Sequence, residues 1–146
     1  MSKLKNCLFG TCGFDSTCAQ VIYMLFRGFI GYGLFTHGKG KLPPSEEFVG
    51  MLGGKLGMAA PEAMAWMAGI GEGVCGVLIM IGLFTRPSAI WAGITLVVAA
   101  YAHVFGSLGG GFEVGEKALL YVFAIVLICA LGGGKFSIDS AIFRKK

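Results

Sequence analysis

Long apolar runs, separated by short clusters of glycine, proline and charge, dominate this chain. Four of them, residues 18–36, 62–84, 88–105 and 117–133, approach the about 20 residues that carry a helix across a hydrocarbon core. The pattern predicts an all-α membrane protein: one domain over residues 1–146, built as a four-transmembrane-helix bundle behind a cysteine-bearing segment at 1–17. The last two runs are short and are expected to stand upright or to borrow a turn from their flanks. Thr85-Arg86-Pro87 predicts a tight turn that makes the second and third helices antiparallel neighbours, with Pro87 suited to a first helical turn, where its missing N–H is not needed. In the long first loop, Ser45 followed by Glu46 and Glu47 reads as the capped start of a short amphipathic helix. Phe48, Met51, Leu52 and Leu56 form its apolar face. That helix would lie on the membrane interface or cover an internal cavity.

Against this apolar background the embedded charges stand out. Arg27 lies inside the first run and Glu72 inside the second, where an ionised side chain costs roughly 2.5–3.5 kcal/mol at the bilayer centre. Each lies about ten residues, roughly 15 Å at 1.5 Å per residue, from its own helix end. Matched depth and opposite sign predict that both face the bundle interior within salt-bridge or one-water distance. Either they form a buried pair that fixes helix register, or they line a pocket for a polar headgroup such as a quinone carbonyl or an anion. Ala65, Gly69, Gly73 and Gly76 recur around Glu72 at helical spacing, and Gly28 and Gly31 follow Arg27; small stripes of this kind let membrane helices approach closely. A second polar set, His37, Lys41, His103, Glu113 and Glu116, with Tyr101 beside it, comes from different helices but shares one predicted side. Its members are either separate interfacial residues or a proton-relay and ligand-edge cluster. The His spacing that would specify a metal is absent, so no metal site is expected. On the other side, Arg86 and Asp139 are structural candidates that would tie the tight turn to the tail.

Composition and charge narrow the reading. The 146 residues are 55% hydrophobic and only 14% charged, which suits bilayer as solvent rather than water. The net charge of +4 comes from basic residues at segment ends and forms no basic face with interleaved aromatics, so nucleic acid is not an expected partner. Lys3, Lys5, Arg86, Lys135, Arg144, Lys145 and Lys146 share one predicted side against Lys39, Lys41, Lys55 and Lys117 on the other. That bias places both termini in the cytoplasm. The N-terminal residues lack a cleavable signal pattern, so the first helix is expected to act as its own insertion signal. Cys7, Cys12 and Cys18 have no C-x-x-C spacing and are expected to be reduced, whereas Cys75 and Cys129 behave as small hydrophobes. Haem-attachment, P-loop and dinucleotide motifs are missing, so the chain is expected to bind no redox cofactor alone.

Several of these residues fall into an ordered pattern. Arg27, Gly28, Gly31, His37, Gly38 and Lys41 follow R-G…G-x-x-F-x-x-H-G-x-x-K, with Phe35 displaced. Glu72, Gly76, Leu78, Gly82, Leu83, Thr85 and Arg86 follow E-x-x-x-G-x-L-x-x-x-G-L-x-T-R. G-F-E-x-x-E-K-A-L-L around residues 113–120 and G-x-x-F-S-I-D ending at Asp139 complete it. The chain resembles the DoxX family of small four-helix membrane proteins over nearly its whole length after residue 20, apart from residues 54–60. The resemblance implies the four-helix fold and a polar signature of Arg27, His37, Glu72, Arg86 and Asp139. Relatives in that family include the membrane subunit of a thiosulfate:quinone oxidoreductase. It thus implies a subunit of an oxidoreductase complex in a prokaryotic inner membrane, in contact with lipid and other membrane subunits, that binds quinone and relays protons. The alternative is a non-catalytic accessory subunit packed against a larger membrane complex. A small-molecule carrier is less favoured, since four short helices without an internal repeat leave little room for alternating access.

Overall fold

The computed structural model describes residues 16–105, 108 and 111–143. Cys7 and Cys12, with most of the cysteine-bearing segment, lie outside the described residues, as do Arg144, Lys145 and Lys146. Among the described residues all regular structure is helical. Helix α1 spans Thr17–Gly38 and continues through a 3-10 turn at Lys39–Lys41. Helix α2 is Glu46–Gly54, and α3 is Pro61–Ile81, interrupted by a π-helical turn at Ile70–Val74. Then come α4, Thr85–Val104, α5, Gly111–Leu131, and the short α6, Ile138–Phe143. Helices α1, α3, α4 and α5 are the four long and apolar enough to cross a membrane.

Two boundaries depart from the sequence pattern. The turn after α3 is not Thr85-Arg86-Pro87, because those residues already belong to α4. Asp139 is the reason: its carboxylate accepts the Phe84 and Thr85 N–H groups at 2.8 and 2.9 Å and the Thr85 hydroxyl at 2.8 Å. These bonds satisfy otherwise orphaned donors at the helix start and place a negative charge there. The reversal is compressed into residues 82–84, with Gly82 at φ 74° and Phe84 at φ 48°, both left-handed. Helix α5 starts at Gly111 rather than Lys117. The charges at 113, 116 and 117 end the apolar run without ending the helix, and Gly115 is buried against Val104. Helix α2 follows its expected form, with the Ser45 hydroxyl accepting the Phe48 N–H at 3.2 Å and Leu52 buried. Leu56 lies beyond its end.

Helix α1 packs along α3, and α4 packs along α5, while α3 and α4 join the two pairs; α1 and α5 touch only sparingly. The core is built from Leu34, Cys75, Ile79, Ala92, Leu96, Ile125 and Ile128. Large apolar side chains such as Ile22, Leu25, Phe29 and Phe123 point outward, as expected where the surrounding solvent is lipid.

Glycines set the register of α1 on α3. A Cβ on Gly31 would fall 2.6 Å from Met80 N and 2.7 Å from Gly76 O, and one on Gly38 would collide with the Gly73 backbone. Gly28 has nothing within 4 Å of such a Cβ and takes no part. This register separates Arg27 from Glu72, so the expected pair does not form. Arg27, 1% exposed, lies level with the end of α3 and donates to Ile79 O, to Met80 O at 3.1 Å and to Phe136 O at 2.9 Å. Asp139 does not meet Arg86, whose Nη2 instead donates to Ala130 O at 3.0 Å.

Candidate functional site

The polar residues at the opposite end of the bundle converge. The 3-10 turn after α1 carries Lys41 one turn beyond His37, where it reaches across to Glu72 at 2.5 Å. Glu72 sits in the π turn of α3 between Gly71 and Gly73, and all three are buried. A Cβ on Gly71 would lie 2.8 Å from Thr95 Cγ2 and 2.9 Å from Trp91 Cδ1, and Gly73 is pressed against Gly38. Glycine on both sides therefore lets α1 and α4 close on this turn, leaving Glu72 as the one side chain of the three. Turns of this kind are rare and recur at functional sites. The Glu72 side chain is 5% exposed and that of Lys41 28%. The carboxylate is thus compensated inside the bundle while its partner keeps an edge to the outside.

Beside this ion pair lies a cavity of about 170 Å³. Leu34 and His37 of α1, Lys41, Glu72, Leu96, Ala99 and His103 of α4, and Val114, Lys117, Ala118 and Tyr121 of α5 line it. The His37 and Tyr121 rings meet edge to face with centroids 6.0 Å apart. His103 Nδ1 is buried without a hydrogen-bond partner among the described residues, a costly state that a polar ligand atom would relieve. Two lysines face one carboxylate in this wall, so it carries net positive charge before either histidine is protonated. The α2 helix does not line the cavity, although its Phe48 ring lies 5.7 Å from Lys41 Nζ.

Of the candidates drawn from the sequence, His37, Lys41, Glu72 and His103 are brought together here. Arg27, Arg86 and Asp139 belong to the other end, and Glu113 and Glu116 are exposed on α5 outside the cavity lining. Among the described residues no three His, Cys, Asp or Glu side chains form a group that could hold a metal ion. Lys117 and Tyr121 were missed. Their signal was the spacing of Val114, Lys117, Ala118 and Tyr121, at i, i+3, i+4 and i+7, which puts them on one helix face.

The model of the DoxX family matches residues 22–104, more than half of the chain. An uncharacterised protein of Haemophilus influenzae is 32% identical over 123 residues, covering 80% of this chain and 87% of its own length. The chain belongs to the DoxX family. No solved structure matches it. The family match of this DoxX protein takes in most of α1 and all of α2, α3 and α4, hence His37, Lys41, Glu72 and His103, and stops before α5. Lys117 and Tyr121 are therefore supplied from outside the matched residues.

Proposed function

We propose that this DoxX membrane protein is a subunit of an oxidoreductase assembly and holds a quinone ring in the cavity beside Lys41 and Glu72. The observation that carries the reading is the cavity itself, ring-sized, half-buried and donor-rich. Cavities of about 150 Å³ accommodate a benzene ring, so a volume of about 170 Å³ takes a headgroup and leaves an isoprenoid tail to the bilayer. Lys41, Lys117, Tyr121 and the histidines can donate to ring oxygens, and Glu72 holds Lys41 in place while offering a proton acceptor. His103, whose buried Nδ1 lacks a partner among the described residues, can exchange a proton with the ring, and the exposed His37 in the same lining can pass it to the outside. The electrons would come from a partner subunit, since a quinone reduced by two electrons and two protons needs a donor that these residues do not supply.

The test is quinone retention. The assembly is extracted in mild detergent, and its quinone is quantified per chain for wild type, Glu72→Gln and His103→Leu at equal assembly. The expected result is near-stoichiometric quinone in the wild type and a loss of about tenfold, roughly 1.4 kcal/mol, in either variant. Quinone absent from the intact wild-type assembly, or unaffected by both substitutions, would overturn this reading in favour of a non-catalytic accessory subunit.

A further inference from the structure

A groove runs between α4 and α5 on the lipid-facing side of the bundle, away from the polar cavity. Ile90, Gly93, Val97, Val122, Ile125 and Cys129 line it, and its volume is about 410 Å³. Its depth comes from Gly93: the absent side chain leaves Ile125 as floor, 3.4 Å from where a Cβ would stand. Arg86 lies on the same α4 stripe, at i relative to Ile90, Gly93 and Val97 at i+4, i+7 and i+11, so it marks the end of the groove. The bond from Arg86 Nη2 to Ala130 O ties the guanidinium across both helices, next to Cys129. Arginine has five donors; Nε is buried without an acceptor among the described residues and Nη2 is bonded to Ala130 O, which leaves the Nη1 end for a ligand. Arg86 is the second residue of its span. The charge therefore sits at headgroup depth while the groove descends into hydrocarbon.

We propose that this groove is a specific site for one anionic phospholipid, with an acyl chain laid between α4 and α5 and its phosphate on Arg86. The pairing follows from chemistry: the groove wall offers an acyl chain only apolar contact, and the pinned guanidinium at its end keeps its charge and outer N–H groups for a phosphate. A zwitterionic lipid brings its own ammonium to compete for that phosphate, whereas an anionic one leaves the full charge for the arginine. The site does not depend on what the polar cavity binds.

The experiment is native mass spectrometry of the purified protein with phosphatidylglycerol or phosphatidylcholine of identical chains. Wild type should retain phosphatidylglycerol about tenfold more tightly. Arg86→Gln should abolish that preference, Arg86→Lys should keep part of it, and Gly93→Leu should weaken both lipids by filling the groove. Thermal melting checks that each variant is folded. Equal retention of the two lipids by wild type overturns the proposal without any variant, and so does an unchanged preference in folded Arg86→Gln.

Discussion

At the scale of single residues, both embedded charges found partners, and neither partner is the other. The two terminal nitrogens of Arg27 donate to backbone carbonyls that α3 and the 132–137 loop leave free at their ends, while its buried Nε has no acceptor among the described residues. Replacing Arg27 with Met should destabilise the bundle by about 2–4 kcal/mol, the loss of several charge-assisted hydrogen bonds in a buried place. Reversible unfolding in mixed micelles measures it. For Lys41 and Glu72 the expected signature is coupling. Lys41→Ala should cost about 1–3 kcal/mol, below the figure for a fully buried pair because Lys41 keeps an exposed edge. Adding Glu72→Gln to it should recover part of that loss, and strict additivity in the double-mutant cycle would show that the two do not interact. Arg27 and Glu72 lie equally deep from their own helix ends, which makes them neighbours only if those ends are level. The offset between the helices is set by where glycines meet, a property of two helices together.

The elements themselves were legible, because apolar length reports spanning helices and Ser45 with two glutamates reports a helix start. Their edges were not. Asp139, more than fifty residues away in sequence, decides where α4 begins, and no local pattern announces a cap supplied from a distant segment. The π turn at Glu72 was equally hidden, since it reflects packing of Gly71 and Gly73 against two other helices. Small residues near the charges were legible as a class but not in their individual roles. Gly31→Ala and Gly38→Ala should each destabilise by about 1–3 kcal/mol, because the added methyl meets backbone that cannot move aside. Gly28→Ala should be neutral or stabilising by up to about 1 kcal/mol, as expected for an open helix-interior site. The same unfolding assay separates them, and a Gly28→Ala variant as impaired as Gly38→Ala would contradict this register of α1 on α3.

On the scale of the whole molecule, the two ends of the bundle differ in kind. One is locked: Tyr23 donates to Gly132 O at 2.6 Å, Gln20 Oε1 accepts the Lys135 N–H at 2.8 Å, and Asp139 caps α4. The other is open, with a cavity and an ion pair whose lysine reaches the surface. A rigid base beneath an accessible polar pocket is an arrangement in which side chains at the open end can exchange ligands or protons while helix register is preserved. It also fixes relative sidedness, because the start of α1 and the segment after α5 are bonded to each other and must share one face of the membrane. From the distribution of lysine and arginine we propose that the locked face is the cytoplasmic one. Single cysteines introduced at Lys135 and Lys39 in a cysteine-free background should therefore label from opposite sides. Lys135→Cys should react with a membrane-impermeant maleimide only after the cytoplasmic face is exposed, whereas Lys39→Cys should react in intact cells. Both positions are exposed, so failure to label would not come from burial. Labelling of both from the same side would break the four-span topology, and a clean reversal would keep the topology while turning the open cavity toward the cytoplasm.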